Sequence, residues 1–321
     1  MSYENFPIDE ELLKQAAQEL ERGGLVAFPT ETVYGLGADA ANAQAIKDLY
    51  ALKGRPADHP SIVHLACAED IDKWARDIPP QARRLARHFW PGPMTLILPK
   101  RPDVLDQVTG GQNSVGLRVP AHPLTRRLIE VFGRGIAGPS ANRFGHISPT
   151  SAEHVRQEFG GELKYILDGG PCSVGVESTI IDFTQAKPVI LRPGMLTETI
   201  INQYLGADIT TGSGAKAPGT LKKHYAPSSP AELLSAEELR ERLKTASGPA
   251  AVVAYSPNIA SADPSVKIIS MPAEPAQYAQ SLYAALRYAD AMQPKRIYIE
   301  KAPSGVEWKA VADRLQRASA R

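Results

Sequence analysis

An α/β fold built as two units is predicted by three observations. Short apolar runs of strand length recur along the chain and alternate with stretches of helical periodicity, the pattern of a mixed sheet covered by crossover helices. At 321 residues the chain exceeds one average domain, so one large unit with a smaller companion is expected. Composition then shifts near residues 206–230 to Gly, Ala, Ser, Thr, Lys and Pro, the signature of a linker. The expected organisation is a large unit over 1–205, a linker over 206–230 and a small Rossmann-like α/β unit over 231–321.

Residues 8–22 place Leu12, Leu13, Ala16, Ala17 and Leu20 on one helical face, and Gly23-Gly24 ends that helix. Leu25 to Phe28 reads as a short buried strand. The run Pro29-Thr30-Glu31-Thr32-Val33-Tyr34-Gly35-Leu36-Gly37 breaks the apolar pattern and reads as a ligand-facing turn, its glycines letting the backbone approach the ligand. Gly35 to Ala40 also fits a dinucleotide fingerprint formally, but five residues separate it from the strand that such a turn should follow directly.

Asn42 caps a second helix, which delivers Lys53-Gly54-Arg55-Pro56 into a loop. A strand 62–65 follows, then helices around 69–75 and over 80–89, and the turn Trp90-Pro91-Gly92-Pro93 feeds a strand 94–98. Strand 115–119 carries Arg118 among apolar residues, helix 123–132 leads to strand 136–137, and Gly138-Pro139-Ser140-Ala141-Asn142 forms a turn. Helix 151–159 precedes strands 164–167, 179–183 and 189–191. Beyond the linker, helices 236–243, 278–291 and 308–319 alternate with strands 250–254, 266–269 and 296–299.

Net charge is +1 with 22% charged residues, so no bulk basic field favours nucleic acid. The two cysteines, Cys67 and Cys172, lie far apart without metal spacing and suit a reducing compartment. The first twenty residues lack the apolar core of a signal peptide, and no apolar run approaches membrane-spanning length. A cytoplasmic protein without membrane contact is expected.

The chemistry-bearing residues are scattered cations beside glycines and small hydroxyl residues. Lys53, Arg55, Arg118 and Arg192 fall at strand or helix ends, where side chains converge at the edge of an α/β sheet. Arg118 stands out because burying it in an apolar strand without an anionic partner is costly. Ser114, Ser140, Asn142 and Ser148 suit hydrogen bonds to phosphate, ribose or base, although each also suits turn or capping chemistry. His64 lies in an apolar strand, and Glu177-Ser178-Thr179 puts small polar groups at a strand entrance. The helix bearing Arg83, Arg84, Arg87 and His88 reads as a solvated face rather than an RNA contact.

Taken together, the segments Phe28 to Gly37, Lys53-Gly54-Arg55-Pro56, Trp90 to Thr95, Arg118 to Pro123, Pro139-Ser140-Ala141-Asn142, Gly175 to Ile180 and Leu191-Arg192-Pro193-Gly194 resemble the YrdC-like domain of threonylcarbamoyl-adenylate synthases. The linker's Pro218-Gly219 and His224-Tyr225-Ala226-Pro227 resemble the two-domain form of that family, whereas Thr220-Leu221-Lys222 departs from the Gly-Met-Lys form of some members. The resemblance implies a YrdC-like twisted mixed sheet with flanking helices. The implied reaction is synthesis of threonylcarbamoyl-AMP and pyrophosphate from L-threonine, bicarbonate and ATP, a nucleotidyl transfer. Its product serves other proteins that modify the adenosine beside the anticodon of certain tRNAs, with tRNA or those proteins as transient partners.

By the same resemblance, Thr30, His64, Arg118, Gly138 and Ser178 bind threonine. Lys53 and Arg55 act in catalysis and, with Ser114, Ser140, Asn142, Ser148, Arg192 and Tyr225, bind ATP. Mg2+ enters with ATP and takes no direct protein ligand. Tyr225, with Lys222 and Lys223 nearby, makes the linker a lid over the nucleotide. Two other readings compete: a non-catalytic module binding tRNA or double-stranded RNA, and a carbamoyl-transfer enzyme using carbamoyl phosphate, whose larger relatives carry extra domains not found in this sequence.

Overall fold

The structure is a computed structural model that describes residues 6–206, 208–221, 223–246 and 248–320; Lys222 lies outside the described residues. Its first unit runs α1 (Glu10–Glu21), β1 (Val26–Phe28), β2 (Gly35–Asp39), α2 (Ala43–Lys53), β3 (Ile62–His64), a 3-10 helix (Ala68–Lys73), α3 (Pro80–Phe89) and β4 (Met94–Pro99). It continues through α4 (Asp106–Thr109), β5 (Ser114–Arg118), α5 (Pro123–Phe132), β6 (Ile136–Ala137), α6 (Ala152–Phe159), β7 (Tyr165–Ile166), β8 (Thr179–Asp182), β9 (Val189–Arg192), α7 (Glu198–Leu205) and β10 (Thr210–Thr211). These strands form a mixed sheet in the order β10-β9-β8-β4-β5-β3-β6-β2-β1-β7. The second unit comprises β11 (Ala231–Leu234), α8 (Ala236–Thr245), β12 (Ala250–Ala254), β13 (Val266–Ser270), α9 (Pro275–Ala291), β14 (Arg296–Glu300) and α10 (Lys309–Ala318), with an all-parallel sheet ordered β11-β14-β12-β13.

Local chemistry explains why the elements begin where they do. Asp9 accepts from the amides of Glu11 and Leu12 and starts α1, Asn42 does the same for α2, and prolines open α3, α5 and α9. Alternation along β1 divides the core: Val26 and Phe28 pack with Leu13, Leu20, Leu124 and Leu128 of α1 and α5, while Ala27 faces Ile46 and Leu49 of α2.

The stretch Gly35 to Asp39, expected as part of a turn, is a strand pairing antiparallel with β1 on one side and β6 on the other. Its glycines make room for the ring of Phe28: a Cβ at Gly35 would lie 2.6 Å from that ring, and one at Gly37 2.8 Å, while Gly35 also lines the cavity described below. The helix expected around 69–75 is instead a 3-10 helix over Ala68–Lys73. Four further elements absent from the sequence expectation are α4, α7, β11 and β10, the last lying inside the expected linker and pairing parallel with β9.

A hydrophobic cluster spans the two units. Val33, Ile147, Val176 and the linker's Tyr225 pack with Tyr278, Leu282 and Tyr283 of α9 and Val311 and Leu315 of α10. The contact is so close at Gly175, with φ +80°, that a Cβ there would lie 2.4 Å from Cα of Gln280. No helix of the described residues is long and apolar enough to cross a membrane.

Gly35→Ala therefore overpacks the Phe28 ring and is expected to lower stability by about 1–3 kcal/mol. Thermal unfolding of G35A against G35A/F28L checks this: the smaller leucine restores part of the loss, and an unperturbed G35A midpoint contradicts the packing account.

Candidate functional site

The ends of β1, β3, β5, β6 and β9, the loop entering β8 and the linker meet around one cavity. Its wall includes Thr30, Arg55, His64, Arg118, Gly138, Ser140, Arg192 and Tyr225, all expected from sequence, together with Glu177 and His224. The parallel register of β3 and β5 sets His64 opposite Arg118. The cavity measures about 50 Å³, well below the roughly 300–1,000 Å³ of small-molecule pockets, because Pro218, Gly219, His224 and Tyr225 of the linker fill its mouth.

Thr30 closes its own turn: its hydroxyl lies 2.6 Å from the Val33 carbonyl and 2.8 Å from Thr32 Oγ1, and it accepts from the amides of Thr32 and Val33. Arg118, 4% exposed, donates through Nε to the Gly92 carbonyl and through Nη1 to Thr32 Oγ1, and its Nη2 lies 2.7 Å from Glu31 Oε1. Glu31 also accepts from the Ala121 amide. The anion that a buried Arg118 requires is thus Glu31, two positions from Pro29 in the opening motif. His64 donates from Nε2 to the Gly138 carbonyl at 3.1 Å, which leaves Nδ1 as a buried acceptor without a hydrogen-bond partner among the described residues. Burial, and then the Arg118 charge, hold its pKa down at about 3, so the ring is neutral.

Three further cations have no carboxylate partner among the described residues. The Lys53 ammonium donates to the carbonyls of Ser140 and Asn142, and burial followed by the neighbouring Arg55 charge lowers its pKa well below the ordinary lysine value. Arg55 reaches the Pro60 carbonyl, stands 5.5 Å from the Tyr50 ring and leaves Nε unpartnered. Arg192 donates to the Ser178 carbonyl and hydroxyl and, at 3.0 Å, to the linker's Pro218 carbonyl. Burial lowers the pKa of both arginines.

Five expected residues lie off the cavity wall. Ser178 pairs with Thr95 at 2.7 Å, Ser148 donates to Glu177 at 2.7 Å, Asn142 donates to the carbonyls of Arg143 and His146, and Ser114 lines a separate small cleft with Gln112 and Lys216. Lys53 stands behind the wall, against the turn carrying Ser140. Sequence reasoning passed over Glu31, Thr32, Glu177 and His224 as site residues. The need of a buried Arg118 for an anion was the signal available for Glu31. Closure of the mouth is set by Gly219 at φ +76°, where a Cβ would lie 1.9 Å from the Tyr225 hydroxyl.

A larger cleft of about 480 Å³ beside Leu65, Trp74 and Ile129 has no comparable charge imbalance, since Lys73 pairs with Asp70 and Arg134 with Asp39. No His, Cys, Asp or Glu group among the described residues is arranged to hold a metal ion.

Residues 18–194 match the family described as "Telomere recombination", and residues 191–320 match that described as "Threonylcarbamoyl-AMP synthase, C-terminal domain". The chain is 47% identical over 247 residues to the threonylcarbamoyl-AMP synthase of Pyrococcus abyssi, covering 74% of this chain and 71% of that protein. It is 45% identical over 226 residues to the Bacillus subtilis protein of the same name, covering 68% and 65%. The fold superposes on the crystal structure of Pyrococcus abyssi Sua5 complexed with L-threonine, with TM-score 0.88 and 39% identity over 97% of this chain and 95% of that one.

The buried neutral histidines make stability depend on pH. His64 and His224 both have pKa values held down at about 3, chiefly by burial, against an ordinary 6.5. Below pH 6.5 the unfolded chain takes up protons that the folded chain refuses, so stability falls as pH drops toward 3, by up to about 1.4 kcal/mol per pH unit for each histidine. Thermal midpoints measured from pH 7 to pH 5 are expected to decline, less steeply in H224Q; equal slopes in the two proteins contradict this assignment for His224.

Proposed function

This chain belongs to the threonylcarbamoyl-AMP synthase family, and on that premise we propose that its cavity joins L-threonine, bicarbonate and ATP into threonylcarbamoyl-AMP and pyrophosphate. The observation that carries the reading is the set of buried cations, Lys53, Arg55 and Arg192, bonded to carbonyl and hydroxyl oxygens rather than carboxylates beside a neutral histidine acceptor. Such a set is complementary to a polyphosphate.

The amino acid is read by a charged donor and a neutral acceptor. Arg118, held by Glu31, faces the substrate carboxylate, while the free Nδ1 of His64 accepts from its amino group. Thr30 and Thr32 fix the turn that holds Glu31 against Arg118, Gly138 leaves room beside His64, and Ser178 is held by Thr95 and Arg192 at the strand entrance. The amine must be neutral to react. It forms an N–C bond with bicarbonate carbon as water leaves, giving a carbamate. A carbamate oxygen then attacks the α-phosphorus of ATP, the bond to the bridging oxygen of the β-phosphate breaks, and pyrophosphate departs.

Charge grows on the phosphate oxygens during that attack, and Lys53, Arg55 and Arg192 stabilise it without reorganisation because the fold already holds them in place. Ser114, Ser140, Asn142 and Ser148 belong to the ATP side of this reading. Both carboxylates near the cavity, Glu31 and Glu177, are committed to arginines, which suits Mg2+ carried by ATP rather than by protein ligands. When bound, that ion neutralises phosphate charge.

Tyr225 and its neighbours serve as a lid: a cavity of about 50 Å³ must open for ATP to enter, and reclosure shields the labile adenylate from water. The product is handed to proteins that modify tRNA, with tRNA or those proteins as transient partners. The reading places the reaction in the cytoplasm, in keeping with the free thiols of Cys67 and Cys172.

Pyrophosphate release with each substrate omitted in turn tests the reaction. It is expected only when L-threonine, bicarbonate and ATP are all present, and release without threonine, or none with all three, contradicts the proposal. Lys53→Met is expected to lower kcat by about 10²–10³-fold through loss of charge stabilisation. Serine in place of threonine is expected to lower kcat/KM by about 10–200-fold, the worth of one methyl group in a fitted pocket.

A further inference from the structure

We infer that Arg314, on the last helix of the second unit, is a positioning residue of the cavity: it anchors Glu177 in the wall and serves as the platform on which Tyr225 closes. The inference rests on the proposed ATP-dependent synthesis.

Arg314 is fully buried, yet it does not point into its own unit's core. Its Nε donates to Glu177 Oε2 at 2.7 Å, its Nη2 lies 3.4 Å from the Glu177 carbonyl, and its Nη1 donates to the Pro193 carbonyl at 3.0 Å and to Asp313 at 2.6 Å. Glu177 receives two more donors, Ser148 at 2.7 Å and Tyr283 of α9 at 2.9 Å. One cavity-lining carboxylate is therefore fixed by one residue of the first unit and two of the second. The guanidinium also lies 5.4 Å from the Tyr225 ring, and the rings of Tyr225 and Tyr283 stand 5.6 Å apart. One turn further along α10, Arg317 donates to the Leu221 carbonyl and its own carbonyl accepts from the His224 amide. The linker residues that close the cavity therefore rest on α10.

Docking of the two units does not require this ion pair. Val33, Ile147 and Val176 already pack on α9 and α10, and a buried charge pair is a weak source of net stability compared with an apolar contact of the same size. What the pair adds is direction: it fixes where Glu177 points, and it sets a cation beneath the Tyr225 ring in the closed linker. Tyr225 itself has φ +59°, an uncommon backbone state for a tyrosine that surrounding contacts must hold. The second unit therefore acts as the latch plate of the lid.

A double-mutant cycle on the full chain separates this role from general structural support. The readout is the dissociation constant of α,β-methylene-ATP, measured by calorimetry with L-threonine and bicarbonate present, for the parent, R314M, Y225A and R314M/Y225A. R314M is expected to weaken binding at least tenfold in the parent background and less than twofold in the Y225A background, because the platform has no function once the ring is gone. Equal losses in both backgrounds, or no loss in either, overturn the inference. Should R314M fail to fold, Y283F enters the same cycle; it keeps the ring and removes only the hydroxyl donated to Glu177, and the same non-additivity is expected. Pyrophosphate formation by the parent is measured alongside, so a chain that binds the analogue with the expected coupling but releases no pyrophosphate refutes the synthesis and leaves the latch standing.

Discussion

Buried positive charge without a matching carboxylate is the constraint on which the rest of this structure depends. Burying an ionised side chain is costly unless a partner repays the lost hydration, and proteins ordinarily avoid it. Here Arg55 and Arg192 line one cavity, Lys53 is buried just behind its wall, and all three are given only carbonyl and hydroxyl oxygens to bond. The fold supports this arrangement through a wide mixed sheet with helices on both faces, so the helix end bearing Lys53 and Arg55 and the strand end bearing Arg192 are fixed by a core far larger than the site. Where a carboxylate does approach, it is already committed: Glu31 to Arg118 and Glu177 to Arg314. The remaining excess of positive charge is what a polyphosphate would neutralise.

The same constraint explains the linker. An uncompensated cationic cavity open to water would lose much of its electrostatic strength, since Coulomb interactions weaken steeply with dielectric. Pro218 caps Arg192, Gly219 allows the Tyr225 hydroxyl to approach, and Tyr225 is buried between the cavity and α9 and α10. The second unit, whose own sheet contributes no residue to the cavity wall, thereby gains a function through its helices. In the proposed mechanism its role is to hold the segment that excludes water from the first unit's charges.

Much of the fold was legible because local chemistry and tertiary environment agree. Proline-initiated α3 and α5 begin and end where their apolar period and flanking residues say they should, and β12 reads as a buried strand because it is one. The β2 strand was hidden because glycine usually marks a turn, while here Gly35 and Gly37 clear space for Phe28, a fact that only the partner strand reveals. Likewise β10 pairs within a stretch whose composition says linker. In the site, the cations were legible one by one from their positions at strand or helix ends. Arg314 was not, because it sits on a helix of ordinary amphipathic pattern and meets Glu177 from 137 positions away in the chain. A contact of that range leaves no trace in local sequence.

The central claim is that the cavity is built for the charge of a polyphosphate rather than for a nucleoside alone. Calorimetric titration of the full chain with ATP and, separately, with adenosine, at fixed ionic strength and with L-threonine present, tests this most directly. The account predicts that ATP binds at least 100-fold more tightly than adenosine and that the difference narrows as salt is raised. Equal affinity for the two would contradict it.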